Sequence, residues 1–386
     1  MKQNKVIIAV VSISLLQGLQ YCASPVLTQI QAHYPHLSVS LIQMLVTAPG
    51  ILAIVISFAA GKLVTMISKK KLLLFAALVA AVTAFVPYLS DSFALLFASR
   101  MAYGISQGMA TALNVAVVSE FFTGEKRTIV MGIQSAGVGI SMLFTNVAAG
   151  YLGAIDYRHA FLVNAVGIIS FILLCLCLPD TGRAVETKTE PIRLNRTVYI
   201  TTLFGFLEFF FLITFSTNIA MHLSGALAGD STVSGLITGM FSGVQIVFGL
   251  LLGQITKITK RYTLPAAMLA FSLGAVLIIL YPDRMVMLLI AAVLCGFSQG
   301  VFIPTAFVDV SNAVNDVSAT MAAAAVTGGT FLGQITSPVV INAATAALTG
   351  SASTGNVFLV ACIGMALSAA AMILWKHSTA KYKEVG

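Results

Sequence analysis

Few side chains in this sequence can do chemistry, and those that can lie inside long apolar runs. Glu208 sits in Gly205-Phe-Leu-Glu-Phe-Phe-Phe211. An ionisable residue in such a run is costly to keep there and marks a candidate functional position. Burial among phenylalanines disfavours the charged carboxylate, so Glu208 suits the binding and release of a proton, or the binding of a cationic ligand. A lasting ion pair with Arg100, or a hydrogen bond to a neighbouring helix, is the structural alternative. Both residues fall well inside their runs. Glu208 lies ~15 Å from one end and Arg100 ~10 Å from the other, at about 1.5 Å per helical residue.

Neutral polar residues recur around these two at helical spacing. Gln17, Gln20, Tyr21 and Ser24 fall at i, i+3, i+4 and i+7; Arg100, Tyr103, Gln107, Thr111 and Asn114 form a second stripe. Thr201, Phe204, Glu208, Phe211, Phe215 and Asn218 form a third, and Gln299 stands nearly alone on a fourth run before Asp309. Residues so spaced share one helix face. Hydrocarbon offers them no hydrogen-bond partner, so the stripes face a polar cavity or neighbouring helices. Whole stripes favour the cavity; a lone Gln or Asn is as readily a polar link between helices. The phenylalanines could hold an apolar or aromatic ligand and attract a cation to their faces, although a Phe-rich face is more often plain packing.

The elements that must position these residues are membrane spans. The chain has 386 residues, 58% hydrophobic and only 9% charged, with a mean hydropathy of +0.98. A soluble domain carries roughly a quarter charged residues. Twelve apolar runs approach the ~20 residues that span a bilayer, at about 6–30, 40–61, 72–89, 93–120, 129–153, 160–178, 198–223, 232–253, 263–281, 286–311, 318–346 and 355–375. The first exceeds the 7–15 residues of a signal-peptide core and reads as a retained helix. The sequence thus predicts an all-α membrane protein of twelve transmembrane helices.

The formal net charge of +8 does not indicate nucleic acid, because of where it lies. With the N-terminus in the cytoplasm and the spans alternating, eighteen of the 21 Lys and Arg fall on the cytoplasmic side. Arg158 and Arg284 lie outside, and Arg100 is within a span. Basic residues are retained inside during insertion, so both termini are expected in the cytoplasm and the protein in the cytoplasmic membrane. The five cysteines all lie in spans, where cysteine acts as a small apolar residue.

One phrase occurs twice: Gly104-Ile-Ser-Gln-Gly108 and, 192 positions later, Gly296-Phe-Ser-Gln-Gly300. The same offset pairs Gly61 with Gly253, each expected to open a basic loop, and Leu96 with Leu288. Two pseudo-symmetric six-helix bundles are expected, over 1–178 and 198–386, joined by a charged cytoplasmic linker at 179–197.

These motifs resemble those of the major facilitator superfamily, and in particular its bacterial members that export drugs or organic solutes in exchange for protons. Gly61, Leu63, Lys69 and Lys70 fit the family's loop signature, with Thr65 and Ser68 where Asp and Gly are usual. Leu96, Arg100 and Gly104 fit the fourth-helix motif. On the fifth helix Gly150 fits the antiporter motif, but Thr145-Asn146 replaces Gly-Pro. The resemblance implies two related bundles that rock about a site near the midplane, lined by the first, fourth, seventh and tenth helices. It implies no cofactor and no metal; the partners are a small organic substrate, protons and the bilayer, and the protein acts as a monomer.

The candidate substrate and proton site is therefore Glu208 with Arg100, Gln17, Gln20, Tyr21, Tyr103, Gln107, Asn114, Phe204, Phe211, Phe215 and Gln299. Gly61, Glu120 and Asp309 are candidates for gating or structural roles, with Glu120 set against basic loop residues. An intramembrane enzyme would need clustered His, Asp or Glu, yet the five histidines fall near helix ends, in loops or in the tail. No nucleotide-binding loop of the Gly-x-x-x-x-Gly-Lys-Ser/Thr type is present, so ATP drive would require a second chain. Small residues on the fifth span (Gly132, Ala136, Gly137, Gly139) and eleventh span (Gly328, Gly329, Gly333) suit close helix packing. Pro25, Pro49, Pro304 and Pro338 are candidate bends.

Overall fold

A computed structural model describes residues 2–183, 194–314 and 316–384. Among them it contains helices and no strands, as lipid solvent demands of a chain that must satisfy its own backbone. Eleven helical segments are long and apolar enough to cross a membrane. The remaining expected span, the fourth in sequence order, is Phe93–Phe121, 29 residues long; Arg100, Gln107 and Asn114 reduce its apolar character. The chain divides into two compact units, the first also taking in Asp230–Gly239.

In the first unit the first span is not one helix. It runs as α1 (Lys2–Gly18), a 3-10 stretch (Leu19–Val26) and α2 (Leu27–His33). Pro25 explains the change, because its ring removes a backbone N–H and crowds the preceding turn. The second span is likewise split into α3 (Val39–Thr47) and α4 (Pro49–Met66), with Pro49 opening α4. Then follow α5 (Lys69–Thr83), α6 (Phe93–Phe121), α7 (Gly124–Gly153), a 3-10 stretch (Tyr157–Ala165) and α8 (Val166–Cys177). Here α1 packs on α6, α7 and α8, and α5 on α6 and α8.

The second unit contains α9 (Arg196–His222), most of α10 (Ser231–Leu250), α11 (Leu252–Thr259), α12 (Thr263–Leu280), α13 (Met285–Asn312), α14 (Asp316–Thr349) and α15 (Thr354–Glu384). Asn195 caps α9, its Oδ1 accepting from the Val198 N–H at 3.1 Å. The neighbour scheme matches that of the first unit: α9 packs on α13, α14 and α15, and α12 on α13 and α15. Pro304 and Pro338 stay inside continuous helices.

The repeated pentapeptide has a steric basis. A Cβ on Gly104 would strike the Pro49 carbonyl oxygen, and one on Gly296 would meet that of Phe241 at 2.5 Å. A Cβ on Gly108 would meet the Ala53 oxygen at 2.5 Å, and one on Gly300 the Gln245 Cα at 2.9 Å. Pro49 and Phe241, like Ala53 and Gln245, are themselves 192 positions apart. Each unit therefore holds the same close helix crossing, which only glycine permits. On α14, Gly329 and Gly333 approach the backbone of α9 in the same way, whereas Gly132 and Gly328 face open space.

Two expectations need correction. Gly61 does not open a loop: α4 continues to Met66, because nothing near Gly61 interrupts the helix, and a Cβ there would meet nothing within 4 Å. Gly253 likewise lies inside α11. The expected linker at 179–197 falls mostly on residues outside the described ones.

Candidate functional site

In the first unit, the stripes on α1 and α6 face each other and bond across the contact. Tyr103 donates its hydroxyl to the Leu16 carbonyl at 2.6 Å. Gln17 Nε2 donates to the Ala110 carbonyl at 3.1 Å, and Asn114 Nδ2 to Ser14 Oγ at 3.0 Å. Gln107 Nε2 donates to Gln20 Oε1, leaving Gln107 Oε1 buried without a partner. Tyr21 is buried beside them. Much of this polar stripe therefore joins helices, and Gln107 Oε1 and Asn114 Oδ1 are the buried atoms in it with capacity beyond that.

Arg100 is completely buried, and an uncompensated buried cation costs several kcal/mol. Its Nε donates to the Leu45 carbonyl at 2.9 Å, one terminal nitrogen to Cys22 Sγ at 3.2 Å and the other to the Gln20 carbonyl. The guanidinium carbon sits 5.1 Å from the Tyr103 ring centroid, a favourable cation–π distance. The broken helices make this possible. Pro49 has no N–H to close the helical bond to Leu45, four residues earlier, so that carbonyl is free for Arg100. No carboxylate pairs with Arg100 among the described ion pairs, and its hydrogen-bond partners all lie within the first unit.

In the second unit Glu208 is completely buried on α9. Ser298, the central residue of the second pentapeptide, donates to Glu208 Oε1 at 2.6 Å. Glu208 Oε2 is buried without a partner. Gln299 Oε1 accepts from Gln245 Nε2 on α10 at 3.0 Å. Its counterpart 192 positions earlier, Gln107, bonds to Gln20 on the first span instead. The sequence accounts for the switch: Leu212 stands where the first unit has Gln20, and Gln245 where it has Ala53.

The phenylalanines are packing residues. Phe215 stacks on Phe241 with centroids 4.8 Å apart, Phe204 lies 6.4 Å from Trp375, and the Phe211 ring fills the space above Gly364. Glu208 Oε2 and, two turns earlier, Thr201 Oγ1 are the buried atoms of this stripe without a partner. The acids near span ends are paired, Glu120 with Lys69 at 2.6 Å and Asp309 with Lys376 at 2.8 Å. An apolar groove of about 580 Å³ between α3, α4 and α6, lined by Leu41, Leu52, Phe93, Phe97 and Met101, holds none of the candidate residues. No cluster of His, Cys, Asp or Glu able to hold a metal occurs among the described residues.

Sequence reasoning missed Ser298, although the repeat pointed to it, and missed Gln245 and Cys22. It also missed a cluster at one end of the first unit. There Asp91 Oδ1 accepts from His33 at 2.8 Å, Arg158 at 2.9 Å and the Tyr34 hydroxyl at 3.1 Å. The His33 hydrogen bond, then those of Tyr34 and Arg158, hold the Asp91 carboxyl below the usual range. These residues are far apart in sequence and carry no shared motif.

The helical architecture and polar residues buried at mid-span define a polytopic membrane transporter rather than an enzyme. The model of the Major Facilitator Superfamily matches residues 9–207 and 200–385, and the chain belongs to that family. It is 24% identical to the uncharacterized MFS-type transporter YfhI of Bacillus subtilis over 94% of this chain and 93% of that one. It is 27% identical to the class C tetracycline resistance protein of Escherichia coli over 68% of each chain. The quinolone resistance protein NorA of Staphylococcus aureus is 23% identical over 66% of this chain and 69% of its own. Among solved structures, the D-xylose-proton symporter superimposes with a TM-score of 0.77 at 13% identity, covering 96% of this chain and 97% of that one. An inward-facing bacterial homolog of the human lysosomal transporter Spinster gives 0.68 at 14% identity, covering 99% and 96%. At these identities the two structures speak for the fold alone.

Proposed function

We propose that the protein exports a small organic molecule across the cytoplasmic membrane in exchange for protons, by alternating access, as a monomer. The observation that carries this reading is Glu208, buried in α9 with one oxygen held by Ser298 and the other without a partner. Such a carboxyl has capacity to take up a proton in one conformation and release it in another. Gln20 and Gln107 supply neutral hydrogen-bonding groups for the substrate, and Arg100 holds the helices that carry them. Two relatives are named for drug resistance, and a membrane transporter confers resistance to a drug by carrying it outward. Uptake by symport is the rival reading, favoured by Thr145-Asn146 in place of Gly-Pro on α7.

The test is transport in proteoliposomes under an imposed pH gradient, screened over organic cations, anions and neutral compounds. An inside-acid gradient that stimulates uptake supports exchange; stimulation by the reverse gradient supports symport. Glu208→Gln mimics the protonated acid and keeps its shape, so it should still bind a neutral substrate while losing gradient-driven transport. A well-folded Glu208→Gln protein with undiminished pH dependence would remove Glu208 from the mechanism and make Asp309 the next candidate.

The orientation places both termini and the 179–197 linker in the cytoplasm, on the strength of the basic-residue asymmetry. Single cysteines at Lys188 and Asp230 should then label from opposite sides with an impermeant thiol reagent. Labelling of Lys188→Cys from outside would reverse the topology.

A further inference from the structure

The segment joining α10 to α12 is only lightly packed, touching α12 and, through the turn that follows it, α15. No residue of α11 (Leu252–Thr259) is buried. Isolated helices shorter than about 12–15 residues are marginal in water, so an eight-residue helix needs a surface to lie on. Its side chains are segregated. Leu251, Ile255 and Ile258 recur at i, i+4 and i+7 and share one face; Ile258 is 81% exposed and the preceding Leu250 78%. Gly253 and Lys257, four residues apart, lie on another face, Gln254 borders the apolar stripe, and Lys260 and Arg261 follow at the helix end.

None of these three cations has a carboxylate partner among the described ion pairs. Arg261 instead lies over the Tyr262 ring at 4.8 Å. The stretch 192 positions earlier makes an instructive contrast. There Phe58 and Met66 are also exposed, but α4 runs unbroken to Met66, and Lys69, the counterpart of Arg261, is held by Glu120 at 2.6 Å.

We propose that α11 and the following turn form an interfacial anchor for anionic phospholipid. Ile255 and Ile258 enter the acyl boundary, while Lys257, Lys260 and Arg261 hold phosphodiester headgroups. A short helix with apolar and basic faces binds a membrane surface in this way, its apolar side sunk about 5–10 Å. Tyr262, with an apolar ring and polar tip, suits the headgroup level. Exposed leucines such as Leu273 on α12 need only acyl chains; the unpaired cations are what call for anionic headgroups here.

Spin labels at Ile258→Cys and Gly253→Cys, in a Cys175→Ala/Cys177→Ala background, test the placement, because a Cβ at Gly253 meets nothing within 4 Å and points away from the apolar face. The full-length protein is reconstituted in phosphatidylcholine vesicles with and without about a third phosphatidylglycerol. The label at 258 should be accessible to oxygen in the lipid and shielded from an aqueous nickel chelate, with the opposite pattern at 253. Spin-labelled phosphatidylglycerol should associate in preference to phosphatidylcholine. Lys257→Gln, Lys260→Gln and Arg261→Gln should erode that preference by roughly fivefold per charge, and added inorganic phosphate should leave it unchanged. A label at 258 in water in both vesicles would overturn the anchor. Equal association of the two lipids, a charge-neutral variant with full preference, or competition by free phosphate would overturn the anionic-lipid assignment.

Discussion

Arg100 supplies the hydrogen bond that Pro49 withholds. The proline cannot donate to the Leu45 carbonyl, and Arg100 Nε donates to it at 2.9 Å. In the second unit both are absent together, replaced at the same offset by Phe241 and Ala292. Arg100→Met should therefore destabilise the protein by several kcal/mol, because two buried carbonyls lose a donor at about 1–3 kcal/mol each. Pro49→Ala restores a backbone N–H and should relieve part of that loss. A double-mutant cycle of thermal unfolding in detergent reads the coupling; strictly additive effects would refute it.

In the second unit Ser298 donates to Glu208 Oε1 at 2.6 Å, the contact on which the proposed proton exchange turns. A hydrogen bond to a charged group contributes roughly 1.5–3 kcal/mol. Ser298→Ala should lower gradient-driven transport by about tenfold or more, and Ser298→Thr should restore most of it by keeping a hydroxyl. In a Glu208→Gln background, Ser298→Ala should have little further effect on transport. A full second loss in that background would show that Ser298 acts elsewhere.

The paired glycines separate packing from mere occurrence. Gly104→Ala and Gly296→Ala place a methyl against backbone oxygen, and overpacking of this kind costs about 1–3 kcal/mol or more. Gly61→Ala and Gly253→Ala meet nothing within 4 Å on helices, so they should be neutral or gain up to about 1 kcal/mol from helix propensity. Thermal unfolding of the four variants should sort them into these two groups.

The Asp91 cluster predicts a pH dependence of stability in the first unit. The folded carboxyl titrates below its ordinary value, with the His33 hydrogen bond as the largest cause. Its contribution is therefore present above the unfolded value near ~4 and is lost as pH falls through the lower folded value. Asp91→Asn should be less stable than the parent at neutral pH, and the gap should close below about pH 4. A gap that persists undiminished in acid would mean that the carboxylate charge is not what stabilises the cluster.

The sequence by itself determined where the spans lie, that one unit is written twice and that Glu208 is buried in a membrane helix. Those properties follow from local terms: apolar length, helical period and the cost of a charge in hydrocarbon. Periodicity also identified the faces carrying Gln17, Gln20, Arg100 and Gln107. It could not say what those faces meet, because a helix's rotation and register against its neighbours are set by packing. Hydrogen bonds act over about 3 Å, so a small shift in register exchanges one partner for another. Gln107 and Gln299 occupy the same place in one repeated phrase, yet one bonds to the first span and the other to α10. Arg100 found the Leu45 carbonyl freed by Pro49, with Cys22 and the Gln20 carbonyl beside it, and Phe204, Phe211 and Phe215 turned to neighbouring helices. A buried polar group is costly unless it finds a partner, and only the tertiary structure decided which groups found one and which, like Glu208 Oε2, did not.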